Sequence, residues 1–581
     1  MKDEANRRSR RVRRLGALAV LLPLTLGSGA QTSLRWPAQP AAGNTAIAPA
    51  TASLASNRYA PTLPRRSAPP LGADFDVRQF EAMAQQLVAD QRVPGLAMAI
   101  VHNGRVLSAR GYGITDTRAP EAVDGHTVFR LASLSKGFAG TMAGLLVNDG
   151  TLRWDSKVTD YVPGFRLNSP EATDRLTVAD VLSHRVGLPY NAYDRDIEGN
   201  AEYYALTQKL ANTSLKCLPG DCYAYQNVAF SLIGDVVFAA SGTFYDQAVD
   251  RRIFKPLGMT HTRWRDDHGD VVPGRTGAYE FDDGVYRNDQ VIEDAYGNGG
   301  LLTTVGDLVK WQAALDADTF GAGFTAEMQT PTKLNDGTPI AYALALVNLD
   351  HHGQQEVSHS GSTGGYRAWM ARYPQHKLAV SLLCNSGNAD TPVLGRDVAD
   401  IFLPAYKAKA YTSKGPLPSG TYADGMTGFP VRFDSDDKGN LRADGRVLTP
   451  VGPGRWAQRE DIFAFGKTGL TLEHREGEKI AYRKVDAVTA FDAKPYVGRF
   501  CGVDTFACLS FKQQGDTLTY SGPRWYNTPL SPAYADVFTG EAAPGAGRIT
   551  VKFERDASGA VTALRFGEGR AYDVAFRRVA D

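Results

Sequence analysis

Ser133 and Lys136 stand three residues apart in Phe129-Arg-Leu-Ala-Ser-Leu-Ser-Lys-Gly-Phe-Ala-Gly140, where a turn-rich segment gives way to apolar and small residues. On a helix, positions i and i+3 share a face, so the hydroxyl and the amine can meet. A serine hydroxyl attacks a carbonyl only when a neighbouring base takes its proton. A lysine can serve if burial or nearby positive charge disfavours its ammonium form. The stretch after Lys136, Gly-Phe-Ala-Gly-Thr-Met-Ala-Gly-Leu-Leu-Val, reads as the buried helix that such a lysine needs. The chemistry this implies is acyl transfer through an acyl-serine. Ser-x-x-Lys is expected about twice by chance in a chain of this length. The second copy, Ser435 to Lys438, lies in Asp-Ser-Asp-Asp-Lys-Gly-Asn and reads as a solvated turn.

Two further segments carry groups suited to the same reaction. Tyr225-Gln-Asn227 follows Pro219-Gly220 and precedes the apolar run Val228 to Ala240. A phenol beside a lysine can shuttle a proton, and an amide can orient both the lysine and a substrate carbonyl. The same Tyr-x-Asn pattern at Tyr286 and Tyr296 falls in loops and has an ordinary turn reading. His359-Ser-Gly361-Ser362-Thr-Gly-Gly365 leads into a strand at Trp369, and its glycines allow a strand edge to approach a substrate backbone closely. Backbone N–H groups of Ser133 and Ser362 could form an oxyanion hole, with His359 and Gly361 facing the substrate. His102 and His351 have the same spacing to glycine, but they belong to a hairpin turn and a polar loop.

These groups need a scaffold. The chain has 581 residues and a net charge of +1, with no basic cluster beyond its start that would call for nucleic acid. Six arginines between Arg7 and Arg14 precede the apolar stretch Leu15 to Leu26 and Ser28-Gly-Ala30, the pattern of an export signal over residues 1–30. Its short apolar length argues against a permanent membrane span, and periplasmic or secreted location follows. Residues 31–74, rich in Ala, Pro, Ser and Thr, read as a disordered linker. A first domain is expected over 75–408. It has a helix at Phe80 to Val88 and a β-hairpin around Asn103-Gly104. Strands return at Trp369 and Leu378, so the sheet is assembled from both ends of the domain with helices between. Short alternating strands then form two barrel-like units, 415–490 and 491–581, with loose internal matches. Those matches are Gly420-Thr-Tyr422 to Gly498-Arg-Phe500, Leu448-Thr-Pro450 to Leu530-Ser-Pro532, and Leu470-Thr-Leu to Ile549-Thr-Val. This β region reads either as a spacer or wall-binding module or as the source of a loop that narrows the active-site cleft. Cys217 with Cys222 and Cys501 with Cys508 are spaced to close small disulfide loops in an oxidising compartment, while Cys384 reads as an inert strand residue. No cysteine–histidine set has metal spacing, so neither metal nor cofactor is expected.

The order Ser-x-x-Lys, Tyr-x-Asn, His-x-Gly resembles the serine β-lactamase and penicillin-binding-protein superfamily. Val93-Pro-Gly95, Ser183-His-Arg-Val-Gly-Leu-Pro189, Lys255-Pro-Leu-Gly-Met259 and Gly299-Gly-Leu-Leu-Thr-Thr304 also look like that superfamily's recurring segments. The resemblance implies an α+β fold: an antiparallel sheet flanked by helices plus a helical subdomain, followed here by an all-β barrel-like region. It implies Ser133 as nucleophile, Lys136 and Tyr225 sharing acid–base work, and Asn227, His359 and Gly361 positioning substrate. His-x-Gly in place of Lys-Thr-Gly is similar to D-aminopeptidases and some D,D-carboxypeptidases, the former with two barrels after the catalytic domain. The implied substrate is a small peptide, amide or ester, peptidoglycan fragments included. Carboxylesterase, β-lactamase and a slow-turnover penicillin or peptidoglycan sensor remain the alternatives.

Overall fold

The computed structural model describes residues 78–580 apart from short internal stretches, the longest being 265–278 and 289–298. The leader, the linker and Tyr296 lie outside the described residues.

Alternation in Gly95–His102 shows why one strand serves two cores. Ala97, Ala99 and Val101 face the layer containing Phe138 and Trp311, while Leu96, Met98 and Ile100 face the layer containing Trp369 and Tyr373. A strand buried on both faces reads as one continuous apolar run. Asn103 and Gly104 both take positive φ, 52° and 74°, as a two-residue hairpin turn requires. The strand Arg105–Gly113 then returns beside Gly95–His102. On its other side Gly95–His102 pairs with Leu378–Cys384 from the far end of the domain. Tyr366–Tyr373, Gln354–Thr363 and Val347–His351 complete a six-stranded antiparallel sheet. Helices Arg78–Ala89 and Thr391–Asp400 cover one face.

The other face receives the helical insertion. Helix Lys136–Asn148 is buried nearly all round, and its glycines are the reason it can be. A Cβ on Gly137 would lie 2.5 Å from the Trp311 ring, and one on Gly144 2.6 Å from Phe324. Phe138 stacks on Trp311 at 4.2 Å between ring centroids, a pairing of about 1 kcal/mol beyond its apolar burial. A smaller core under helices Pro170–Arg175, Val178–Leu182 and Leu232–Ser241 holds Leu176, Val181, Leu188 and Leu232. Among the described residues no single helix is long and apolar enough to cross a membrane.

The C-terminal half is all β. Residues 420–485 form a nine-stranded antiparallel sheet, and residues 498–579 form a closed eight-stranded barrel. Both are wired alike, first strand against last: Gly420–Asp424 pairs with Lys479–Val485, and Gly498–Gly502 with Ala571–Val579. Of the three internal matches, two fall on corresponding strands. The third does not: Leu470 lies on the next-to-last strand of its unit, whereas Ile549 lies on the third from last. The short hairpin Leu441–Ala443 to Arg446–Val447 leaves the first unit open, because no strand pairing joins it to Thr449–Gly452. Cys217–Cys222 and Cys501–Cys508 are bonded, and Cys384 is buried in its strand with its thiol pushed up to about 12 by burial.

Candidate active site

Ser133 sits in a single 3₁₀ turn, Ala132–Ser135, at the start of the buried helix. Two short strands hold that turn from behind. Phe129–Arg130 pairs with Leu301–Thr303, and Leu131 N–H donates to the Leu301 carbonyl at 2.9 Å. The segment Gly299 to Thr304 therefore supports the nucleophile's turn. Ala132 takes φ 47°, a left-handed conformation that costs an alanine about 1–2 kcal/mol and aims the next residue outward. In front lies the strand Gln354–Thr363. A Cβ on Gly361 would stand 1.9 Å from the Leu131 carbonyl oxygen, so any side chain there would push the strand off the Ser133 turn. Glycine at 361 thus sets the distance between nucleophile turn and strand edge.

Lys136 is fully buried, with Nζ 3.3 Å from Ser133 Oγ and 2.6 Å from Asn227 Oδ1. Asn227 Nδ2 donates in turn to Asp194 Oδ2 at 2.9 Å. A carboxylate only accepts, so Asp194 fixes which way the Asn227 amide points and turns its oxygen to the lysine. The result is a buried chain from carboxylate through amide and amine to the serine hydroxyl. Tyr225 completes the group, its ring centroid 4.8 Å from Lys136 Nζ.

Two histidines bracket this group. His359 Nδ1 lies 2.6 Å from the Ser360 carbonyl, which can only accept, so Nδ1 carries the proton. Its Nε2 therefore accepts from the Tyr342 hydroxyl at 2.7 Å. Burial, then the Lys136 charge, pushes His359 down to about 3, so the ring is neutral at ordinary pH. Both nitrogens are committed, and His359 meets the cleft as a neutral wall. His184 lies under Tyr225 with ring centroids 4.1 Å apart. Its Nδ1 accepts the Gln226 N–H at 3.1 Å and its carbonyl accepts the Ala224 N–H at 3.0 Å, so it grips the residues on both sides of Tyr225. Burial, then Lys136, holds His184 well below the usual imidazole range. Its Nε2 has no hydrogen-bond partner.

The cleft beside Ser133 has a volume of 210 Å³ and is lined by Tyr225, Asn227, His359 and Ser362 together with Arg475 and Glu476. The last two belong to the turn between strands Gly469–Glu473 and Lys479–Val485 of the nine-stranded sheet. That turn is anchored on the catalytic domain. Ala341 N–H donates to the Glu476 carbonyl at 2.9 Å, the Tyr223 hydroxyl donates to the Glu476 carboxylate, and Lys216 pairs with Glu478.

The structure thus gathers Ser133, Lys136, Tyr225, Asn227, His359, Gly361 and Ser362 around one cleft. The sequence does not mark Asp194, Tyr342, Arg475 or Glu476, and it marks His184 only as part of the segment Ser183 to Pro189. Asp194 stands in a polar stretch and Arg475-Glu-Gly-Glu-Lys in a charged turn, both of which look solvated in one dimension. The described group with metal-ligand spacing, His351, His352 and Asp400, does not line this cleft.

An unguisins hydrolase of Aspergillus violaceofuscus is 26% identical over 56% of this chain and 63% of its own length. A penicillin-binding protein of Bacillus subtilis is 29% identical over 49% of this chain and 68% of its own. The chain therefore spans about two thirds of the length of these relatives. A solved octameric penicillin-binding protein homologue from Pyrococcus abyssi superposes on 86% of this chain and 100% of its own with a TM-score of 0.50, at 19% identity. That last likeness concerns the fold alone. The beta-lactamase family profile matches residues 80–401, the segment that carries the sheet, the helical insertion and every catalytic-domain residue gathered at the cleft, and the chain belongs to that family.

Proposed function

We propose that this protein is an exported serine hydrolase that cleaves D-amino-acid amides or peptides through an acyl-Ser133 intermediate. The observation that carries the reading is the buried chain Asp194–Asn227–Lys136–Ser133. Ser133 Oγ attacks the scissile carbonyl and its proton passes to the Lys136–Tyr225 unit, in which the amine lies 4.8 Å from the centre of the phenol ring. The N–H groups of Ser133 and Ser362 hold the oxyanion. Collapse breaks the C–N bond, the leaving amine takes the proton back, and water then attacks the acyl-serine by the reverse path.

Peptidase rather than esterase chemistry is favoured by Arg475 and Glu476, which bring one positive and one negative group to the cleft. A substrate with a charged terminus close to its scissile bond complements such a wall. D-alanine p-nitroanilide is the direct test. Turnover of the D-isomer, with the L-isomer at least about tenfold slower, supports the reading; tenfold is about 1.4 kcal/mol of transition-state discrimination. Turnover of p-nitrophenyl acetate with no turnover of either anilide would make the protein a carboxylesterase.

A further inference from the structure

The Ser133 cleft opens into a second cavity of 1460 Å³, larger than the roughly 300–1,000 Å³ of ordinary small-molecule pockets. Tyr190, Asn191, Asp194, Arg475 and Glu476 line both spaces, so the two adjoin at the anchored turn. The far end is the closed barrel. Leu509, Tyr520, Phe566 and Phe576 belong to that barrel's core and also line the cavity, which therefore runs into the barrel's mouth.

The walls have a definite chemistry. Nine carboxylates and four Lys or Arg side chains line the chamber, an excess of negative charge in a recessed space that concentrates cations. Most of these acids have a partner: Asp196 pairs with Lys209, Asp461 with His474, Glu476 with Arg475, Glu478 with Lys216, and Glu554 and Asp573 with Arg565, while Glu568 accepts from Trp525 Nε1 at 2.5 Å, so the excess is one of net charge. Burial first, with Glu554 and Asp424 adding to it against Arg565 and Lys552, pushes Asp573 up to about 6. Apolar surface is present too. Met426 and Val503, 61% and 49% exposed, are large apolar side chains left open to solvent on this wall.

A single-residue amide would occupy the cleft and leave the chamber to water. The geometry points to the chamber as the site for the remote part of a cationic, amphipathic oligopeptide substrate, its basic side chains against the carboxylates and an apolar side chain in the barrel mouth. This deepens the acyl-Ser133 peptidase reading and rests on it. Remote binding of this kind raises kcat/KM when the interaction is fully realised in the transition state.

The test separates binding from turnover by using the full chain with Ser133→Ala. The amidated hexapeptide Lys-Leu-Lys-Leu-Lys-Leu and its Glu-Leu counterpart are titrated calorimetrically. The lysine peptide is expected to bind, to weaken at least about tenfold between low salt and 0.5 M salt, and to leave the glutamate peptide far behind. Adding Asp573→Asn, which keeps the side-chain shape at a residue with φ 58°, or Val503→Trp at the mouth should weaken it at least fivefold, a loss of about 1 kcal/mol. Equal binding of both peptides, no binding of either, or full affinity in both chamber variants would overturn the chamber proposal. Should a variant fail to fold, the charge and salt comparison on the unaltered chamber still decides. Because acylation is absent from this measurement, an enzyme that turns over no D-amino-acid amide would sink the functional reading separately.

Discussion

Ser133 and Ser435 each stand three residues before a lysine, and the same four-residue pattern has two different fates. Ser133 heads a buried helix, and Lys136 is held at zero exposure by contacts with Ser133 and Asn227. Ser435 ends the strand Pro430–Ser435, and Lys438 lies in an exposed turn where its N–H donates to Asp436 at 3.0 Å. Nothing in the residue types separates the two. The separation comes from what packs around them. One lysine is surrounded by groups that direct its amine at a hydroxyl, and the other is surrounded by water.

The contrast can be broken by substitution. Ser133→Ala is expected to lower kcat/KM by on the order of 10⁴-fold or more, as loss of a nucleophile does. Lys136→Ala should cost about 10³-fold and also lower the melting temperature, because Asn227 Oδ1 is left buried without its donor. Residual activity within tenfold of the parent would mean that Tyr225 works without the lysine. Asp194→Asn sharpens the point: it frees the Asn227 amide to flip, and a drop of about 10²-fold in kcat with little change in KM is expected. His184→Phe keeps the ring against Tyr225 but removes the acceptor for Gln226 N–H. A loss of about tenfold in kcat, with stability nearly unchanged because an unpartnered Nε2 goes with it, would identify His184 as a positioning residue. Ser435→Ala and Lys438→Ala should change neither activity nor stability by more than about 0.5 kcal/mol.

The buried side of the comparison also has a pH signature. His359 is pushed from 6.5 down to about 3, so the unfolded chain binds a proton there before the folded chain does. Its contribution to stability is present above pH 6.5 and is lost as pH falls toward 3. His359→Gln should therefore flatten the stability curve by a few kcal/mol across that window, measured by denaturant melts at several pH values. An unchanged slope would show that His359 is not held neutral by the fold.

Much of this arrangement could be read in one dimension, and the reasons are local. Asn103-Gly104 dictates a hairpin, and small residues at 137, 140 and 144 mark a helix pressed against neighbours on several sides. Ser133 could be ranked above Ser435 because the apolar run after Lys136 is contiguous. Contacts between distant segments carry no such mark. Asp194 reaches Asn227 across 33 residues of sequence, and Glu476 reaches Tyr223 across 253. The Arg475–Glu478 turn is as polar as any hairpin tip and shows nothing in sequence of its seat on the catalytic domain. Of the two readings of the β region, the loop that lines the cleft is the one for which the structure supplies contacts. The Leu470 and Ile549 match misleads for a related reason, since alternating apolar residues are shared by all strands of a barrel and do not number them.

An acyl-Ser133 mechanism requires that Ser133 alone carry the acyl group. Intact mass after exposure to a fluorophosphonate, followed by peptide mapping, measures this in the parent, Ser133→Ala and Ser435→Ala chains. A single adduct on the Ser133 peptide is expected in the parent and in Ser435→Ala, and none in Ser133→Ala. An adduct that survives Ser133→Ala, or a folded parent that takes none, would contradict it.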